Sequence, residues 1–263
     1  MQIDSAMRRR LILLLCGALL APAASAWAGS CNAISPAHTV ALLELYTSEG
    51  CSSCPPADAF VNGLKSAAAG GRSTAQSVVP IALHVDYWDS PGWVDRFAQP
   101  RFTARQRWLS KQAGSHTVYT PEIFIGAREE RNWRADAATA IRRINATPAA
   151  AHIQLSWSAA APAGAPIDVQ AQAPIGAQLF IAVVENALSS EVRAGENGGV
   201  RLHHEHVVRE WIGPLSMPQG QVHWHQTIAL PSAVQATQLS LVAFVQDTQG
   251  AILQALALPS CSS

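Results

Sequence analysis

Glu44-Leu-Tyr-Thr-Ser-Glu-Gly-Cys51-Ser-Ser-Cys54-Pro-Pro56 is the stretch on which the reading of this chain turns. Two cysteines separated by two residues can form and break a disulfide between themselves. They follow an apolar run of strand length, Val40 to Thr47. Pro55-Pro56 suits the first turn of a helix, where the missing N–H groups would be unpaired anyway. Backbone N–H groups at a helix N-terminus favour the thiolate, and the thiolate is the reactive form of cysteine. A CxxC at a strand-to-helix junction therefore says more than the bare spacing.

Working outward, Ala57, Phe60, Val61, Leu64 and Ala68 fall at helical spacing and predict an amphipathic helix ending at Gly70-Gly71. Val78 to Val85 reads as a second buried strand, followed by Asp86-Tyr-Trp-Asp89. Phe102 to Ala113 reads as a helix stopped by Gly114. Thr120-Pro121 leads into a strand over Glu122 to Ile125, and Ala135 to Ile144 reads as a short helix. This β-α-β-α-β-α order predicts an α/β layer with parallel strands. After Pro148 the pattern changes. His152–Trp157, Ile167–Gln172, Gln178–Val184, Arg201–Trp211, Val222–Leu230, Gln238–Asp247 and Ala251–Leu258 read as short strands separated by Pro, Gly and Asn turns. They predict a small antiparallel sandwich of immunoglobulin-like type. Ala159 to Pro166 reads as a hairpin connection.

Charged residues make up 14% of the 263 and the formal net charge is zero, which argues against a nucleic-acid footprint. Arg8 to Arg10, the apolar run Leu11 to Leu20 and the small residues up to Ala28 form the pattern of a secretory signal. That run is too short for a stable membrane anchor. The expectation is cleavage after Ala26 or Ala28 and a periplasmic or secreted protein. A lipid anchor on Cys31 is the alternative, although Ala28 stands where such signals place Leu. The expected organisation is a signal peptide over 1–28, an α/β domain over 29–148 and a β-sandwich over 149–263. The mature chain keeps Cys31, Cys51, Cys54 and Cys261 in a disulfide-permissive compartment. The economical pairing joins Cys51 with Cys54 and Cys31 with Cys261; cross-pairing stays open.

With these residues laid out, the first half resembles the thioredoxin-like superfamily. Three features carry the likeness: the strand and CxxC opening a helix, a second strand ending near Asp86, and Val118-Tyr-Thr120-Pro121 before the last strand. The chain also resembles a family of secreted bacterial proteins of unknown function built around an E-L-[FY]-T-S-x-G-C-S-S-C-P-P-A-D box. His84-Val-Asp-Tyr-Trp-Asp89, Phe102 to Arg107, Gly195-Glu-Asn-Gly-Gly199 and Val207-Val-Arg209 look like its further blocks. The likeness implies an α/β thioredoxin-like domain followed by the sandwich. It also implies an exported thiol–disulfide oxidoreductase, with Cys51 attacking and Cys54 resolving. Pro121 would be a cis-proline and Thr120 would position substrate backbone. Glu44 would relay protons to Cys54, unless it is simply paired with an arginine. Such an enzyme needs no cofactor, but needs a thiol or disulfide substrate and a redox partner.

The residues qualify that picture. Ser52 and Ser53 offer the thiolate no cation, and Glu49 opposes its ionisation. His84, Asp86 and Trp88 alternate, so on a strand they would share a face. Asp86 and Trp88 are candidates for substrate recognition, or with Tyr87 and Trp93 they cover the core. His204 with His206 and His223 with His225 would suit Zn²⁺ or Cu²⁺ if they converged; the competing reading is a solvated strand face. Two other functions remain: an envelope copper-binding protein using Cys51, Cys54 and His84, and a non-catalytic binding module with structural disulfides.

Overall fold

The computed structural model describes residues 31–64, 78–89, 92–115, 117–158, 164–230 and 234–260. The signal segment, Cys261, the Gly70-Gly71 helix end and most of the Ala159–Pro166 connection lie outside them. The first half runs β1 (Cys31–Ile34), β2 (Ala41–Thr47), α1 (Pro55–Asn62), β3 (Val78–His84), α2 (Pro100–Gln112), β4 (Glu122–Ile125), β5 (Arg128–Glu129) and α3 (Trp133–Asn145). The second half runs β6 (His152–Trp157), β7 (Ala165–Gln172), β8 (Gln178–Glu185), β9 (Leu188–Glu191), β10 (Arg201–His204), β11 (Val207–Ser216), β12 (Gln221–Ile228), β13 (Leu239–Gln246) and β14 (Ile252–Pro259).

Local chemistry accounts for most of these elements. Prolines open α1 and α2, where their fixed φ fits and no N–H is missed. Asp136 in the first turn of α3, with Arg142 and Arg143 in its last, suits the helix dipole. Every residue of β2 and β3 is buried, as their unbroken apolar runs require. By contrast β7 alternates buried with more exposed positions, which marks a strand with one wet face.

Topology overturns the expected fold class. An α/β thioredoxin-like domain followed by an immunoglobulin-like sandwich would keep the two halves in separate sheets. Instead, one eight-stranded sheet runs β14-β13-β8-β11-β3-β2-β4-β5, drawing strands from both. The junction is β11 beside β3, where Val207 faces Ala82 in parallel register. The N-terminal β1 in turn joins second-half strands in a four-stranded sheet, β1-β6-β7-β12. Among the described residues, parallel pairing is confined to β2 with β3 and β3 with β11, while β4 runs antiparallel to β2. The molecule is thus mostly β and sandwich-like. The physical reason is that periodicity reports which residues of a strand are buried, not which strand lies beside it.

Arg201–Trp211 is not one strand either. A turn at Glu205-His206, with His206 at φ 59°, divides it into β10 and β11. β10 pairs with β9 as a short two-stranded excursion.

The large sheet buries both faces. On one face Leu43, Leu45, Ile123 and Ile125 pack against Ala57 and Val61 of α1 and against Ala137 and Ile141 of α3. Further along the same face, Ile181, Val183 and Leu241 pack against Leu155, Ile167 and Val169 of the four-stranded sheet. The opposite face, including Leu42, Tyr46, Ile81, Phe180 and Phe244, packs against Phe102 and Leu109 of α2.

Candidate functional site: a sealed disulfide above a buried charge cluster

Cys51 and Cys54 are joined in a disulfide with their Cα atoms 5.4 Å apart. Cys54 is the N-cap of α1, its carbonyl accepting from the N–H groups of Ala57 (2.8 Å) and Asp58 (3.1 Å). Ser52 and Ser53 are exposed between them, yet both cysteines have 0% exposure.

The cover comes from the second half. In the loop between β9 and β10, the Asn197 side-chain amide donates to the carbonyls of Glu49 (2.9 Å) and Cys51 (3.0 Å). The neighbouring Glu196 carboxylate accepts from the Ser52 N–H (3.0 Å) and hydroxyl (2.7 Å), and these bonds hold that carboxyl below its ordinary pKa. From the other side, Gly50 lies under Trp88; a Cβ there would stand 3.2 Å from the Trp88 carbonyl oxygen. The end of α1 is held by the same excursion, since the Asn62 amide donates to the His203 carbonyl (2.8 Å) and accepts from the Glu205 N–H (3.0 Å).

On the α1 face of the sheet, around the end of β3, lies a group of buried ionisable side chains. Asp95 Oδ2 pairs with His84 Nδ1 (2.6 Å) and accepts from the Glu49 N–H (2.9 Å). Burial pulls His84 down, but Asp95 outweighs it, with Asp58 and Glu49 beyond, and raises the imidazole above its ordinary value. Burial likewise pushes Asp95 up, and His84 overcomes it to hold the carboxyl low. The result is a buried ion pair. Glu49 accepts from the Trp93 indole N–H (2.7 Å) through one oxygen. Its other oxygen stands 3.4 Å from His204 Nε2, without hydrogen-bond geometry. Asp58, four residues after Cys54, accepts from the Thr47 hydroxyl (3.0 Å), and burial raises its pKa. Among the described residues, four polar atoms here lack a hydrogen-bond partner: Glu49 Oε1, His84 Nε2 and both ring nitrogens of His204.

The other candidate residues fall around this site unevenly. The Thr120–Pro121 bond is cis, and Thr120 lies against the dithiol loop. Its carbonyl accepts from the Ser53 hydroxyl (3.3 Å), and its own hydroxyl accepts from the Trp88 indole N–H (2.7 Å). Trp88 and Thr120 thus meet beside the disulfide. Asp86 turns away, accepting from the Thr103 hydroxyl of α2 at 2.5 Å. The alternation of His84, Asp86 and Trp88 ends with β3 at His84, so the three do not share a face. Glu44 points to the α2 side, opposite α1, and forms a two-pronged pair with Arg105 (2.6 and 2.9 Å). Cys31 is disulfide-bonded, and its expected partner Cys261 is outside the described residues.

The histidines scatter. His204 joins the charge cluster, whereas His206 Nε2 lies 3.0 Å from the Leu64 carbonyl. His223 and His225 sit with Asp168 on an exposed strand face. Among the described residues, no group of three or more His, Cys, Asp or Glu is arranged to hold a metal ion. Sequence reading missed Asp95, Asp58 and His204 as one cluster because they belong to separate elements. Asn197 was legible only as part of the Gly195–Gly199 block.

No curated protein matches the chain at a significant level. An X-ray crystal structure of a protein from Agrobacterium tumefaciens is similar to it at 23% sequence identity and a TM-score of 0.55. The match covers 86% of this chain and 96% of that one, and establishes a shared fold. The sequence profile of a family described as "Protein of unknown function (DUF1223)" matches residues 42–246, and the chain belongs to that family.

Proposed function

We propose that this protein is an exported, non-catalytic binding module in which the Cys51–Cys54 disulfide is a structural staple. The observation that carries the reading is the complete burial of both cysteines beneath a loop from the other half of the chain. Disulfide exchange requires a thiolate to approach a sulfur atom, so access governs its rate. Here the staple fixes the turn entering α1, and that turn anchors the Glu196–Asn197 loop. The N-terminal signal pattern and the cysteine usage support export.

The test is equilibration of the folded protein with glutathione, read by mass spectrometry. A structural staple has a reduction potential below about −300 mV and so stays oxidised across the glutathione range. Reversible exchange between about −120 and −270 mV, the range of exchange enzymes, would overturn the reading.

A second reading, thiol–disulfide exchange with a protein or small-molecule thiol, is favoured by one arrangement. The dithiol heads a helix that also carries the buried acid Asp58, and a helix N-terminus favours the thiolate. It requires the Glu196–Asn197 loop to open. Under that reading Asn197→Ala accelerates reduction of the disulfide by glutathione and leaves a measurable exchange potential. Under the staple reading it only lowers stability.

A further inference from the structure

The face of the large sheet away from the disulfide holds a cavity of about 500 Å³ that none of the preceding chemistry uses. It lies between α2 and strands β8 and β11, at the edge of the packing that Phe102 and Leu109 begin. Trp108, Phe180 and Trp211 are its aromatic walls, and Gln178, Gln246 and Thr248 supply amide and hydroxyl groups. Among the described residues its lining contains two arginines, Arg101 and Arg105, and no carboxylate.

The arginines differ. Arg105 is buried and already neutralised by Glu44 behind it; its guanidinium lies 5.0 Å from the Phe180 ring centre and 5.2 Å from that of Trp211. It therefore extends the aromatic wall as a flat, polarised surface rather than offering a free charge. Arg101 is exposed at the mouth. Its Nε donates to Gln99 Oε1 (2.6 Å) and one Nη to the Trp211 carbonyl (2.9 Å), both neutral acceptors. Among the described residues it has no ion-pair partner at contact distance, and the hydrogen bond to Trp211 aims the guanidinium along the rim.

From this geometry we infer a binding site for a small planar aromatic anion. The ring lies among Trp108, Trp211 and Phe180, and a carboxylate or similar group meets Arg101 at the mouth. Flat apolar walls with a few placed polar groups are the usual makeup of a small-molecule site, and the volume is in the ordinary range. The sign of charge follows from the lining: two cations, one of them unneutralised, and no acid. A cationic ligand would face repulsion at the mouth, and a neutral one would forgo the charge-assisted bond. The inference extends the binding-module reading by naming a ligand class, yet the cavity and the disulfide are on opposite faces. Reversible reduction of the disulfide would overturn the staple reading and leave this site untouched.

The experiment is calorimetric titration of the folded, oxidised protein with three probes of matched shape: indole-3-acetate, indole-3-acetamide and tryptamine. The anion is expected to bind about tenfold more tightly than the amide, the difference that one charge-assisted hydrogen bond supplies. Tryptamine is expected to bind more weakly than either. Arg101→Gln, a surface change, is expected to remove the preference for the anion while leaving the amide's affinity in place. Trp108→Ala is expected to weaken both, with circular dichroism and thermal melting checking its fold. Absence of binding by all three probes, equal affinity for anion and cation, or an unchanged anion preference in Arg101→Gln would each overturn the proposal.

Discussion

Two ion pairs are buried on opposite faces of β2 and β3, and they are completed in different ways. On the α2 face, both oxygens of Glu44 accept from Arg105, and Tyr46 donates to one of them at 2.9 Å. The remaining Arg105 nitrogen, Nη1, donates to Gln246 Oε1 at 3.2 Å, an acceptor that Nη2 shares, and among the described residues no side-chain atom of this set is orphaned. On the α1 face, His84 and Asp95 form an equally close pair, but among the described residues His84 Nε2 and His204 Nδ1 have no hydrogen-bond partner, and Glu49 Oε1 and His204 Nε2 meet only in a looser ion pair at 3.4 Å. A saturated pair resists change because every atom has lost its water and regained a bond. An unsaturated one keeps a standing cost of about 1–3 kcal/mol for each orphaned group. The first arrangement is that of a fastener. The second lies under the disulfide.

The comparison can be broken first at its saturated end. Arg105→Ala would leave the Glu44 carboxylate buried without its cation, and is expected to lower unfolding free energy by about 3–5 kcal/mol in urea titrations. A loss under 1 kcal/mol would mean that the pair is no fastener.

Asp95→Asn attacks the unsaturated end, with an expected loss of about 3 kcal/mol near neutral pH. The pH dependence sharpens the assignment. His84 is raised, so its share is present below its unfolded pKa and lost as pH rises through the folded value. Asp95 is lowered, so its share is present above its unfolded pKa and lost as pH falls through the folded value. The gap between wild type and Asp95→Asn should therefore shrink on acidification below the ordinary carboxylate range. A gap that stays constant down to pH 2 would remove the ion pair from the account.

Glu122 offers an intermediate effect of opposite sign. It is fully buried beside Pro121, accepts from the Gln106 amide (2.7 Å) and the Ser110 hydroxyl (3.2 Å), and burial pushes it up to about 7. Its folded pKa lies above its unfolded one, so its contribution is lost as pH rises from about 4.5 to about 7. Wild type should lose about 3 kcal/mol across that window relative to Glu122→Gln. Parallel stability curves for the two proteins would reject the shift.

The smallest expected effect is at the seal. Asn197→Ala removes two hydrogen bonds to backbone carbonyls and should cost about 1–2 kcal/mol. Hydrogen exchange at Ser52, whose N–H is held by Glu196, should speed up with it. Unchanged exchange there would show that the loop is not what covers the dithiol turn.

Much of this was legible in the residues. Glu122–Ile125 coincides with β4, and the runs at Val40–Thr47 and Val78–Val85 contain β2 and β3. The helices around Phe102 and Ala135 also formed, with ends moved by one or two residues. Short polar segments such as Leu188–Glu191 carry too little pattern to announce a strand, and β9 was missed for that reason. At the site, Trp88 could be expected beside the CxxC turn because it follows the end of a strand next to β2, and Thr120 only through the resemblance to thioredoxin-like proteins. His204, Asp95 and Asn197 could not, since nothing local ties residues from three separate elements together.

What the sequence determined by itself was most of the inventory: the longer strands and helices, and where α1 starts. Backbone propensity, hydrophobic period and proline geometry act over a few residues and are therefore written locally. Only the tertiary structure decided that β11 would lie beside β3 and fuse two expected domains through one sheet. It also decided that Glu44 would face Arg105 rather than the disulfide, and that a loop from residue 195 onward would close over Cys51 and Cys54. Those choices depend on which buried faces complement each other across more than a hundred residues of chain, and no local pattern encodes that pairing.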